Sequence, residues 1–252
     1  MRLENKVVLL TGASSGIGYS IGRLFAQEGA KVIAMARRAD RLEELKAQTQ
    51  EFSGEVIPMQ GDVSSQEDID RVIGETLERF GRIDVLINNA GVLDDYQSAG
   101  AVEDEIWQRV LDVNITGVMR MTRGVLPSMI EHQKGVIINT ASVGGFHGMR
   151  GGLGYVASKH AVVGMTKNIG YTYIDDGIRC VGVAPGSYET EIGGTVKNPD
   201  MKTLEKLMKG FELFPHTGNP DDLAHLYLFL ASDEAVFMNG TTVVSDGGWI
   251  SF

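Results

Sequence analysis

Short apolar runs recur along this chain, with turns and longer helical patterns between them. The runs are VVLL (7–10), VIAMA (32–36), VIPM (56–59), IDVLI (83–87), GVIINT (135–140), IRCVGVA (178–184) and TTVVS (241–245). A strand with one wet face alternates apolar and polar residues. These runs are close to apolar throughout, as a strand covered on both faces requires. Parallel strands need long crossovers, and the intervening helical patterns supply them. The pattern predicts an α/β chain built on a doubly wound parallel sheet of about seven strands, with helices on both faces. The 252 residues fit one large domain, and no linker, low-complexity segment or short repeat divides them.

In such a sheet the turns after the strands gather at the carboxyl edge, where ligands bind. The first turn reads TGASSGIG, with Gly12, Gly16 and Gly18 around Ser14, Ser15 and Ile17. Glycines let backbone approach a pyrophosphate, and the helix from about Ile17 offers its N-terminal N–H groups. After the second run come Ala36, Arg37 and Arg38. A carboxylate there would bind a ribose 2′-hydroxyl, whereas a guanidinium binds a 2′-phosphate, which predicts NADP(H) over NAD(H). Alternatively the arginines begin the next helix and pair with Glu43 or Glu44. After the third run, Asp62, beside Val63, either caps a helix near Ser65 or accepts from an adenine amino group. Asn88, Asn89, Ala90 and Gly91 after the fourth run form a turn that could pass close to a flat ring. Asn114 falls inside a helical stretch, as a kink or as a tolerated polar spot.

The stretch 142–159, SVGGFHGMRGGLGYVASK, carries the chemistry. Tyr155 and Lys159 are four apart, so they share a helix face one turn apart. An ammonium there is expected to lower the phenol's pKa from about 10. Ser142 adds a neutral hydroxyl that donates and accepts. Together the three suit proton transfer at an alcohol or carbonyl oxygen.

The motifs occur in one order: T11-G12-x-x-x-G16-x-G18, Asp62, N88-N89-A90-G91, Asn114, Ser142, Y155-x-x-x-K159 and P185-G186. In this order the chain resembles the short-chain dehydrogenase/reductase family over essentially its whole length. The resemblance implies a Rossmann-like fold, a nicotinamide cofactor and ketone–alcohol interconversion. It implies that Tyr155 is the acid or base, that Lys159 holds the cofactor ribose, that Ser142 polarises the carbonyl and that Asn114 holds a water. Ile17 and Asn89 would contact the cofactor through backbone. Pro185, Gly186, Tyr188 and Thr190 would fix its carboxamide, with Tyr188 departing from the usual aliphatic residue. Substrate would meet the loop after the fourth run and Gly144, Phe146, His147, Met149 and Arg150 as well as Ser142 and Tyr155, beneath a lid at about 187–215. The apolar stripe Met201, Leu204, Leu207, Met208 and Phe211 in that segment either packs on the core or faces substrate. A Met- and Phe-rich lid favours a bulky apolar ketone or alcohol, such as a hydroxysteroid or bile acid. The alternatives are a 3-oxoacyl-acyl-carrier-protein reductase, a polyol or sugar dehydrogenase, or a non-catalytic dinucleotide scaffold. The family further implies a homotetramer, and the terminus GGWISF either lies at an interface or tucks into its own subunit.

Charge narrows the partners. A net charge of −10 argues against nucleic acid, an anionic membrane and an acidic carrier protein. The lone Cys180 sits in an apolar run and reads as a buried strand residue, and no metal-ligand spacing is present. No apolar run is long enough to span a membrane, and the start lacks a signal-peptide pattern, so a cytoplasmic location is expected.

Overall fold

The computed structural model describes residues 1–211 and 216–251. The strands are β1 (Val7–Thr11), β2 (Lys31–Ala36), β3 (Glu55–Gln60), β4 (Val85–Asn88), β5 (Gly135–Thr140), β6 (Ile178–Pro185) and β7 (Thr242–Ser245). They form one seven-stranded sheet in the order β3-β2-β1-β4-β5-β6-β7, parallel throughout. Each expected run is a strand, with no end moved by more than two residues. The chain winds outward from β1 to β3, then returns to place β4 on the other side of β1. This reversal opens a crevice between the ends of β1 and β4.

The helices are α1 (Gly16–Gln27), α2 (Ala39–Gln48), α3 (Gln66–Phe80), α4 (Asp104–Leu111), α5 (Val118–Glu131), α6 (Leu153–Thr172), α7 (Met201–Phe211) and α8 (Pro220–Ala231). Strand periodicity sorts the core between the two faces. From β1, Val8 and Leu10 join Ile21 and Phe25 of α1 and Tyr227 of α8. Val7 and Leu9 point the other way, towards Ile69 and Val72 of α3 and Met121 and Val125 of α5. Each such buried side chain stabilises the fold by about 1.5–3 kcal/mol. Pro58 is tolerated in β3 because β3 is an edge strand, where one side of the backbone needs no partner.

One helical stretch proved irregular. Between α4 and α5 the residues Asp112–Gly117 form a π-helical turn around the buried Asn114. Glycine is needed at its end, since a Cβ on Gly117 would lie 2.9 Å from the Val63 carbonyl oxygen.

Candidate active site

The turns at the carboxyl edge enclose a cleft of about 650 Å³. Its floor is the glycine turn between β1 and α1. Gly12 and Gly16 take left-handed φ angles of 70° and 53°, which other residues rarely adopt. A Cβ on Gly18 would run into the Gly12 carbonyl oxygen, so helix and turn meet without a spacer. Ser15 is the N-cap of α1, yet no side chain caps the helix's first N–H groups. A helix end of this kind suits a phosphate. Asn89 fixes the turn: its Nδ2 donates to the carbonyls of Thr11 (3.1 Å) and Gly12 (3.3 Å). The Thr11 hydroxyl in turn accepts from the N–H groups of Asn89 and Ala90. Ala90 and Gly91 continue the cleft wall.

At the far end of this floor lie Arg37, Arg38, Asp62 and Val63. The arginines do not pair with Glu43 or Glu44. Arg38 reaches back over the glycine turn, donating to the hydroxyls of Ser14 (3.1 Å) and Ser15 (2.7 Å). It also pairs with Glu191 at 2.8 Å. Arg41 bridges Glu44 and Glu191 instead. The Arg38 guanidinium holds the Glu191 carboxyl below its ordinary range. Asp62 is not a helix cap. Ser65 caps α3 by accepting from the Asp68 N–H, while Asp62 accepts from Ser64 two residues on. The short reach of the serine hydroxyl matches the cap position, and Asp62 remains on the cleft wall.

Ser142, Tyr155 and Lys159 converge in the middle. Ser142 follows β5, and its Oγ accepts from the Gly144 N–H at 3.0 Å. Tyr155 and Lys159 stand one turn apart on α6, with Lys159 Nζ 5.6 Å from the phenol ring centre. Nζ donates to the Thr140 carbonyl at 2.8 Å. Both side chains are buried, at 9% and 4% exposure. The expectation that Lys159 depresses the phenol is corrected here. Burial pushes Tyr155 up, the Ser142 hydroxyl opposes this, and the nearby Tyr96 and Asp94 add to the rise. Burial likewise pushes Lys159 down to about 8. In a dry wall, loss of hydration outweighs the attraction between the two groups.

Asn114 sits behind them as a brace. Its Oδ1 accepts from the Val92 N–H (2.9 Å), and its Nδ2 donates to the Val92 carbonyl (3.0 Å) and to Ser158 Oγ (3.1 Å). The π-helical turn thus ties the loop after β4 to α6. A second brace, Asp94, was not expected from the sequence. Fully buried, it accepts from the N–H groups of Gly152 (3.1 Å) and Tyr155 (2.9 Å) at the start of α6. Burial nevertheless raises its pKa, with those backbone bonds opposing. The only available signal was an acidic pair, Asp94-Asp95, in an otherwise ordinary loop. Asp95 and Tyr96 both adopt left-handed backbone, and Asp95 accepts from the N–H groups of Lys197 and Asn198 ahead of α7.

The substrate end differs from expectation. Arg150 lines the cleft, but Gly144, Phe146, His147 and Met149 do not. Residues 143–145 turn tightly under α6, with Gly144 buried against Tyr155, and the chain then bulges outward. Phe146 and Met149 are exposed as a result. The wall comes from the other two expected segments, Leu93 and Tyr96 after β4 and Ile192, Leu207 and Phe211 after Pro185, joined by Trp249. The α7 stripe divides: Leu207 and Phe211 face the cleft, while Met201 and Met208 are exposed. Residues 212–215 of the expected lid lie outside the described residues. Trp249 tucks into its own subunit, donating to the Gly210 carbonyl at 3.2 Å. Pro185, Gly186, Tyr188 and Thr190 also line the cleft. Tyr188 turns its hydroxyl to Ser245 at 2.7 Å, which is where its unusual side chain goes. Thr190 packs over the glycine turn, so that a Cβ on Gly16 would lie 2.9 Å from its methyl group. Cys180 is buried, and burial pushes its thiol up to about 12, so it is no nucleophile. No helix of the described residues is long and apolar enough to cross a membrane.

Comparison with known proteins agrees with this geometry. The family described as short chain dehydrogenase matches residues 6–200. The chain is 37% identical to 3beta-hydroxysteroid dehydrogenase 2 of Eggerthella lenta, over 99% of this chain and 96% of that one. It is 40% identical to the 3-oxoacyl-acyl-carrier-protein reductase of Thermotoga maritima, over 99% of this chain and all of that one. The crystal structure of levodione reductase superposes with a TM-score of 0.89, at 35% identity and 98% coverage of both chains. The chain belongs to the short-chain dehydrogenase family of oxidoreductases, whose members use NAD(P).

Proposed function

We propose that this family member is an NADP(H)-dependent oxidoreductase that interconverts a ketone and a secondary alcohol on a bulky, largely apolar substrate such as a hydroxysteroid or bile acid. The observation that carries the reading is Tyr155, buried beside Ser142 and Lys159 in a cleft that runs continuously from the glycine turn to an apolar end. The cleft fits a dinucleotide: glycines hold its floor open, and no side chain caps the N-terminus of α1. Gly12, Ser14, Ser15, Gly16, Ile17 and Gly18 would hold the pyrophosphate, and Asp62 and Val63 the adenine. Asn89, Ala90 and Gly91 would flank the nicotinamide end, with Lys159 and Tyr155 on the ribose and Pro185, Gly186, Tyr188 and Thr190 at the ring. Arg37 and Arg38 support a 2′-phosphate, and the Arg38–Glu191 pair would have to yield to it.

When bound, the cofactor supplies the hydride. The protein supplies the proton. A phenol pushed up by burial stays protonated at neutral pH and donates to the substrate oxygen during reduction. The Ser142 hydroxyl holds the same oxygen in place. In oxidation the phenol must first lose its proton, which its burial opposes, while Lys159 would hold the cofactor ribose. With Lys159 pushed down to about 8, its charge fades in mild alkali. Asn114 and Asp94 keep α6 in register with the loop after β4. Leu207 and Phe211 on α7 would act as a lid that excludes water.

The apolar wall and the likeness to the Eggerthella dehydrogenase support a steroid-like substrate. A second reading, a 3-oxoacyl-acyl-carrier-protein reductase, has the likeness to the Thermotoga enzyme behind it, and the net charge of −10 against it. The test is oxidation of NADPH and NADH with a panel of steroid ketones, cyclic ketones and 3-oxoacyl thioesters. Turnover of steroid ketones with NADPH is expected. In Tyr155→Phe, turnover should fall by about 10²–10⁴ while cofactor binding persists; full activity there would sink the mechanism.

A further inference from the structure

The substrate end of the cleft is largely apolar, with the Tyr96 phenol and one cation among its side chains. Leu93, Ile192, Leu207, Phe211 and Trp249 form its wall, and Arg150 enters among them. The guanidinium carbon lies 4.2 Å from the Trp249 ring centre, in cation–π geometry. Its Nη1 donates to the carbonyl of the adjacent Met149 at 3.1 Å. Nε is buried and has no acceptor among the described residues. No carboxylate of the described residues pairs with Arg150. Asp246 acts on it only at longer range, and its two carboxylate oxygens accept from the N–H groups of Gly248 (2.9 Å) and Ile250 (2.8 Å).

Two other cations of the cleft have polar partners. Arg38 has Glu191 and two serines, and Lys159 has the Thr140 carbonyl. Arg150 is half-buried: its Nε has lost water without gaining an acceptor, and the rest of the guanidinium has gained only a ring face and a neighbouring carbonyl. Burial accordingly pushes its pKa below the ordinary arginine value. A guanidinium presents a planar fork of donors that matches a carboxylate. The Arg150 backbone is near the chemistry: a Cβ on Gly144 would lie 3.4 Å from the Arg150 carbonyl oxygen and 3.3 Å from the Tyr155 ring.

We propose that Arg150 is an anion subsite, so that the substrate is an apolar ketone or alcohol bearing a carboxylate, with the carboxylate on Arg150 while Tyr155 addresses the reacting oxygen. This rests on the ketone–alcohol reading only for the position of that oxygen. The subsite explains why a single charged side chain interrupts an apolar wall. It also gives the pocket an end-to-end polarity that orients a long substrate.

The test uses matched pairs of ketones: an oxo bile acid and its methyl ester, and 4-oxocyclohexanecarboxylate and its methyl ester. Affinity is measured by calorimetry on the full chain with NADP present, and turnover is measured separately. The wild-type protein should bind each acid at least tenfold more tightly than its ester. Arg150→Gln should bring that ratio to about one, and Arg150→Lys should retain part of it. Equal affinity for acid and ester in the wild-type protein overturns the proposal. So does a loss in Arg150→Gln that is the same for both members of a pair, since that marks a merely structural stack on Trp249. Binding that shows the acid preference without turnover of any ketone would refute the reaction assigned above and leave the subsite standing.

Discussion

Asp94 offers the sharpest check on how the catalytic helix is held. Its carboxylate accepts from the N–H groups of Gly152 and Tyr155 at the start of α6, in a position with no solvent exposure. Asp94→Ala leaves both donors buried without a partner. Each orphaned group costs about 1–3 kcal/mol, so the pair costs about 2–6. Removing the negative charge from a helix N-terminus adds about 0.3–1 kcal/mol. Against this stands the cost of burying the carboxylate, which raises its pKa. The balance falls in the lower half of the range, about 2–4 kcal/mol, which for a chain of this size lowers the melting temperature by roughly 5–15 °C. Asp94→Asn keeps one carbonyl oxygen and should lose about half as much. A carboxyl group with a raised folded pKa contributes most in acid, and that contribution falls as pH rises through the folded value. The penalty of Asp94→Asn should therefore be larger at pH 4 than at pH 8. Thermal melts across pH and steady-state kinetics are the assays. Because Tyr155 is tethered directly, kcat should fall at least tenfold while cofactor affinity changes by less than about threefold. An Asp94→Ala protein that melts within about 2 °C of wild type with unchanged kcat would refute the assignment.

Three further outcomes follow from the site. Lys159 is buried and pushed down from 10.5 to about 8, so its burial disfavours folding by roughly 3 kcal/mol below pH 8. Lys159→Met should abolish turnover yet raise the melting temperature at pH 7, with the gain fading between pH 8 and 10.5; a less stable variant at pH 7 contradicts this. Glu191→Gln releases Arg38 and Arg41 from exposed ion pairs worth about 0.2–1 kcal/mol each. The ratio of kcat/KM for NADPH over NADH should rise several-fold, and an unchanged ratio would show that these arginines do not meet the 2′-phosphate. Gly18→Ala, whose Cβ meets the Gly12 carbonyl, should weaken cofactor binding, whereas Gly74→Ala in α3 meets nothing and should stabilise by about 1 kcal/mol. Equal effects of the two alanines would mean the glycine turn is not close-packed.

Apolar periodicity alone determined the strands, because a strand buried on both faces admits little but apolar residues. Motif order pointed to the family and its site, because Gly12, Asn89, Ser142 and Tyr155 must each follow a particular strand to reach one edge. Tertiary structure decided what depends on distant partners. Arg38 turned back to Ser14, Ser15 and Glu191, a residue 153 positions away, instead of pairing along its own helix. Asp94 became the anchor of α6 through donors 58 and 61 residues downstream. Phe146, His147 and Met149 left the cleft because the chain after 145 bulges outward, which composition does not encode. Even the phenol's pKa was a tertiary matter. Spacing brings Tyr155 and Lys159 onto one helix face, but how far water is excluded around them decides whether attraction or desolvation wins.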